Sequence, residues 1–144
     1  MFKHILLPTD GSEASMRAVE KGAALAHELS AEVTLMIAID QSSLAFIGNG
    51  KRPDDDPLLQ AARDAAAHWM AAAQALVQKY DVKARQIILE HGRAHQCILQ
   101  AAQTSGADLI VMGTHGAGLL ERLMVGSQTQ RVLANTTIPI LVIH

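Results

Sequence analysis

Cysteine, aromatic side chains and long apolar runs are all scarce in this chain of 144 residues. The one cysteine, Cys97, permits no internal disulfide, so the fold must rest on its core, and a reducing compartment suits it. Phe2, Phe46, Trp69 and Tyr80 are the whole aromatic complement, 3% of the residues, too few to stack unpaired bases. Charge of one sign is also lacking. Twelve Lys and Arg stand against fourteen Asp and Glu, for a formal net charge of −2, and only Lys51-Arg52 approaches a basic cluster. A nucleic-acid partner is therefore not expected. The longest apolar run, Ile138–Ile143, falls far short of the roughly 20 residues that cross a bilayer, so no membrane partner is expected either. Met1-Phe2-Lys3-His4 leads directly into a strand-like stretch with no charged leader and long apolar region behind it. The expectation is a cytoplasmic protein without a signal peptide.

What is present is a core. Apolar residues make up 49% and charged residues 18%, which excludes a disordered chain. A chain this long forms one domain, residues 1–144, able to bury about two-thirds of its unfolded surface without metal or disulfide staples. Five short runs are apolar on successive positions: Ile5 to Leu7 (ending at Pro8), Val33 to Ile39, Gln86 to Leu89, Leu109 to Met112 and Ile140 to Ile143. Strands of a parallel sheet covered on both faces have this pattern. Helical spacing lies between them, over 13–29 with Ser12 as cap, over 58–80, over 94–104 ending near Gly106, and over about 128–135 before Pro139. In 58–80, Ala62, Ala66, Trp69, Ala73, Leu76 and Tyr80 share a stripe, which makes Trp69 and Tyr80 core residues rather than a stacking site. The alternation predicts an α/β fold with right-handed crossovers. Its one long connection, 40–57, follows the second strand and so belongs to the carboxyl edge of the sheet, where such folds bind ligands.

Three segments at that edge carry chemistry. In Met112-Gly113-Thr114-His115-Gly116-Ala117-Gly118, glycines follow a buried strand and allow close backbone approach; Gly126-Ser127 follows and opens a helix. A helix start presents unpaired N–H groups and a positive dipole end to a phosphate, although the same glycines would also serve simple turns. Pro8-Thr9-Asp10-Gly11-Ser12 offers a carboxylate and two hydroxyls. Asp10 there suits ribose hydroxyls or a phosphate-bound cation, or merely a turn. Ala38-Ile39-Asp40 offers main-chain groups with small apolar walls, fit for an adenine edge or for any buried strand. Elsewhere the reading is structural. Asp54-Asp55-Asp56 is a solvated loop, and Cys97 is a buried, inert thiol. His91 and His95 are separated by a strand-to-helix break at Gly92, so they form no metal pair. No Walker A loop and no Gly-x-Ser-x-Gly elbow occurs, and no residue is assigned to catalysis or to a metal.

Pro8 to Ser12, Ala107 to Gly116 and the closing Ile138 to Ile143 together resemble the universal stress protein family along the whole chain. The nucleotide-binding branch carries Gly, two residues, Gly, nine residues, Gly, then Ser or Thr, which Gly113, Gly116, Gly126 and Ser127 match in spacing. The resemblance implies a Rossmann-like, adenine nucleotide alpha hydrolase-like fold: a five-stranded parallel sheet in order 3-2-1-4-5 with helices on both faces. It also implies ATP, with Mg²⁺ in some cases, bound at the carboxyl ends of the strands. The residues carried over are Pro8, Thr9 and Asp10 near ribose and phosphate, and Ala38 at the adenine. Met112, Gly113, His115 and Gly116 would lie along ribose and phosphates, with Gly126, Ser127, Gln128 and Thr129 at the phosphate tail. Where many relatives place Lys or Arg after the second motif glycine, this chain has Ala117, leaving His115, Arg122, Arg131 or a divalent cation to supply charge. A small apolar residue often follows the motif Ser in relatives; here it is Gln128. The strand 138–143 would lie at a sheet edge and pair with a second copy, making a homodimer. The function implied is an ATP-binding, stress-responsive dimeric sensor with at most slow hydrolysis. The alternatives are a nucleotide-free interaction module of the same family and an ATP-hydrolysing enzyme.

Overall fold

The computed structural model describes residues 1–41, 54–114 and 127–144. Strands and helices alternate through them: β1 His4–Pro8, α1 Glu13–Leu29, β2 Glu32–Ala38, α2 Pro57–Gln78, β3 Ala84–Leu89, α3 Ala94–Ser105, β4 Leu109–Gly113, α4 Ser127–Asn135 and β5 Ile140–Ile143. All four strand pairings are parallel and the order is β3-β2-β1-β4-β5, as the family resemblance implied.

Alternation along each strand divides the core in two. Ile5 and Leu7 of β1, with Val33, Leu35 and Ile37 of β2, pack against Ala18, Val19 and Ala23 of α1 and Ala66, Met70 and Val77 of α2. Leu6, Met36, Ile110 and Met112 face the other way, onto Ile98, Ala101 and Ala102 of α3 and Val132 of α4. Coverage on both faces is why the central strands are apolar at successive positions. The edges depart from that expectation. In β3, Arg85, Gln86 and Ile88 are exposed, and in β5 Leu141 is exposed, because an outer strand here lacks full cover. β3 also begins at Ala84, two residues before the apolar run, and β1 keeps Pro8, whose missing N–H costs nothing at the last position.

The helix starts follow local capping. Ser12 Oγ accepts the N–H of Ser15, and Asp56 Oδ1 accepts that of Leu58 behind Pro57. Asp56 is thus a cap rather than only a solvated charge. The buried stripe of α2 runs through Leu59, Ala66, Met70, Ala73 and Val77, while Ala62, Trp69, Leu76 and Tyr80 flank it, half-buried against the same core. Tyr80 lies two residues past the helix end and donates its hydroxyl to Glu20. Trp69 has a specific neighbour: a Cβ at Gly11, where φ is +79°, would lie 2.3 Å from its indole ring. The tryptophan therefore roofs the turn between β1 and α1.

Candidate functional site

At β1 the connections part to opposite sides, β2 on one flank and β4 on the other, and open parallel sheets form a crevice at such a point. A cavity of about 280 Å³ lies there at the carboxyl edge. Pro8, Thr9 and Asp10 enter it from the end of β1, Ala38 from β2, Met112 and Gly113 from β4, and Ser127, Gln128 and Thr129 from the first turn of α4. His115, Gly116 and Gly126 lie outside the described residues, as do 42–53 of the long connection. Ser15, Met36, Ala94 and Ile98 also line the cavity. Sequence reasoning missed these four; the available signal was parity, since Met36, Met112 and Ile98 share the α3–α4 core face.

The β1 turn is tightly bonded. Thr9 N donates to Met36 O at 2.9 Å, extending the ladder by one residue. Thr9 and Ser15 pair their buried hydroxyls at 2.8 Å, and Thr9 Oγ1 accepts the N–H of Gly11 at 3.2 Å. Asp10 Oδ1 accepts the N–H of Ser12 at 2.9 Å. The turn-forming reading of Asp10 is therefore realised through that oxygen, and the carboxylate remains exposed beside the cavity.

Main-chain groups open onto the cavity at β2. Met36 O bonds toward β1, and Ile39 N bonds toward Leu89 of β3. Strand alternation therefore turns the N–H and C=O of Ala38 toward β1, past the point where β1 has ended at Pro8. Among the described residues neither group has a backbone partner there.

Across the cavity, Thr129 Oγ1 donates to Gly113 O at 2.9 Å, fixing the first turn of α4 onto β4. A Cβ at Gly113 would sit 2.9 Å from the carbonyl carbon and oxygen of Ala14, so the close approach of α1 by itself demands glycine. The other helix starts are satisfied: α1 by Ser12, α2 by Asp56, and α3 by three side chains. Gln96 Oε1 accepts Arg93 N, Asp40 Oδ2 accepts Ala94 N at 3.2 Å, and Gln128 Oε1 accepts His95 N at 3.0 Å. Ahead of α4 the sequence places glycine, which has no side chain to cap with. Among the described residues no side chain takes the first-turn N–H groups of Ser127, Gln128 and Thr129, and these three residues line the cavity.

Among the described lining residues Asp10 is the one ionisable group. Cys97 is not among them; it donates to His91 O at 2.9 Å, and burial raises its pKa above the ordinary thiol value. His91 precedes α3 and Gly92 has φ +75°, so only His95 is helical and the two rings share no helix face. No group of three or more metal-binding side chains occurs among the described residues, and no helix among them is long and apolar enough to cross a membrane.

A doubly wound parallel sheet with a cleft of apolar walls at its carboxyl edge defines an α/β protein of the open-sheet class. More narrowly, the chain belongs to the universal stress protein family, whose model matches residues 1–144. It is 36% identical over 144 residues to the universal stress protein in the QAH/OAS sulfhydrylase 3′ region of Thermus aquaticus, covering all of both chains. The solved structure of MJ0577, from Methanocaldococcus jannaschii, superposes with a TM-score of 0.82 at 29% identity, covering 99% of this chain and 96% of that one. Two further solved universal stress proteins share the fold at 18% identity. One is a complex with cAMP (TM-score 0.69, covering 99% and 97%), the other an Archaeoglobus fulgidus protein with dAMP (0.72, 100% and 98%).

Proposed function

We propose that this protein binds an adenine nucleotide, ATP among them, as a reversible regulatory ligand. One observation carries the reading: the N–H and C=O of Ala38 and the start of α4, which have no partner among the described residues, border a single cavity. A donor and an acceptor side by side on a strand match the Watson–Crick edge of adenine. Met36, Ile98 and Met112 provide apolar surface for the ring. Asp10 stands where ribose hydroxyls would donate, and the N–H groups of Ser127, Gln128 and Thr129, with the Ser127 hydroxyl, would hold phosphate. By family resemblance His115, Gly116 and Gly126, which lie outside the described residues, would belong to the same site. The complexes of two relatives with cAMP and dAMP support the same ligand class.

Mg²⁺ fits the donor set only as a passenger on the phosphates, since it keeps most of its water shell and needs one or two carboxylates; Asp10 would serve as one. Asp10 is the one ionisable group among the described lining residues, and the ligand is read as bound rather than turned over. The sensor is dimeric in this proposal. Among the described residues β5 pairs only with β4, Leu141 on it is 41% exposed, and a second copy would cover that edge.

The test is direct. Small molecules extracted from denatured protein are separated by ion exchange, and ATP, AMP and adenosine are titrated calorimetrically into the stripped protein with and without Mg²⁺. Micromolar nucleotide binding, weakened in Ser127→Ala and in Asp10→Ala, is expected. Absence of binding at millimolar nucleotide would leave the fold standing and refute the proposal.

A further inference from the structure

We infer that Gln128 is a specificity-determining residue, whose side-chain amide reads the phosphate of the nucleotide; this deepens the nucleotide reading above and rests on it. Gln128 lines the cavity from the first turn of α4. Its Oε1 accepts the backbone N–H of His95, in the first turn of α3, at 3.0 Å. A backbone N–H can only donate, so this bond settles which end of the amide faces α3. With Oε1 engaged there, Nε2 carries two N–H donors left for another partner. Among the described residues Nε2 has no protein partner, and it is not sealed from solvent, since the only fully buried unpartnered side-chain polar atom is His95 Nδ1.

The anchor is held on its far side too. Ala94 N, next to the N–H that Gln128 engages, is bound by Asp40 Oδ2. The start of α3 is thereby occupied by side-chain oxygens and offers little to an anion, whereas the start of α4 keeps its N–H groups. Gln128 thus turns an acceptor toward α3 and a donor toward the ligand. Because its own backbone N–H belongs to the same uncapped turn, side-chain and main-chain donors address one anion. No Lys or Arg lines the described part of the cavity, so a neutral, preoriented donor supplies the recognition.

The experiment compares adenosine and AMP, which differ only by that phosphate, in wild type, Gln128→Glu and Gln128→Met. Glutamate keeps an oxygen for His95 N–H but replaces the donor with a charge; methionine removes both polar ends at similar length. Expected are a loss of AMP affinity of about tenfold or more in Gln128→Glu, a smaller loss in Gln128→Met, and adenosine affinity within about twofold throughout. The Gln128 side-chain amide resonance should shift with AMP and not with adenosine. Equal losses for both ligands, or unchanged AMP binding in Gln128→Glu, would overturn the inference while leaving the nucleotide reading intact. A wild type that binds neither ligand would overturn both.

Discussion

Residue Gly113 shows how one position serves two ends. It lines the cavity, and it also lets β4 lie against the first turn of α1, where a Cβ would meet backbone at 2.9 Å. Backbone cannot step aside as a side chain can. Gly113→Ala is therefore expected to lower stability by roughly 2 kcal/mol, in the range of overpacked cores, read from urea unfolding without added nucleotide. Gly22 is the useful contrast, because the atom a Cβ would strike there is the tip of Leu7, which can rotate. At Cys97 burial dominates and holds the thiol above its ordinary pKa, so it stays protonated near neutrality. Alkylation of native protein at pH 7.5 should be far slower than of urea-unfolded protein; equal rates would contradict the buried placement.

Among the elements, the ends of β3 and β1 carry the pH response. Glu90, just past β3, accepts both Nε and Nη2 of Arg63 on α2, and the guanidinium holds its pKa below the ordinary carboxylate value. Asp108, before β4, is pushed up by burial, but the N–H groups of Lys3 and His4 outweigh this and hold it low. A carboxylate depressed in the folded state contributes stability that is complete above its unfolded pKa of about 4 and lost as pH falls through the folded value. The melting temperature should thus fall below about pH 4 in wild type, and less steeply in Glu90→Gln and Asp108→Asn, which start from lower stability at pH 7. Arg63 also meets Asp54 at 3.2 Å, so this cluster fastens the returning end of the 40–57 connection to the sheet.

For the whole molecule, strand order matters most. Putting β1 at the centre with β2 and β4 on either side opens the crevice, and the same order leaves β3 and β5 at the edges. The β5 edge bears the dimer prediction: light scattering at tens of micromolar should give a dimer for wild type and a monomer for Leu141→Lys. A monomeric wild type would remove the dimer from the proposal without touching the cleft. Nucleotide should also change the protease sensitivity of 40–57 if the bound state alters the surface a dimer presents.

Periodicity in the sequence determined the elements. Apolar pairs recur where a strand is covered on both sides, and Ser12, Pro57 and Gly106 mark helix ends by local bonding and local torsion, which need no partner from afar. Family resemblance brought the strand order and Gly113, Ser127 and their neighbours into one expected site. The half-bare edges of β3 and β5, the one-residue rotation of the α2 stripe onto Met70 and Val77, and the roofing of Gly11 by Trp69 depend on which element lies opposite, and only the tertiary structure decided them. The same holds for Ala38, whose main-chain groups are open because β1 stops short, and for Gln128, whose amide is aimed by a backbone N–H 33 residues away. Short-range bonding and hydrophobic period are written along the chain, whereas the direction of a donor at a site is set by groups that meet only once the sheet has formed.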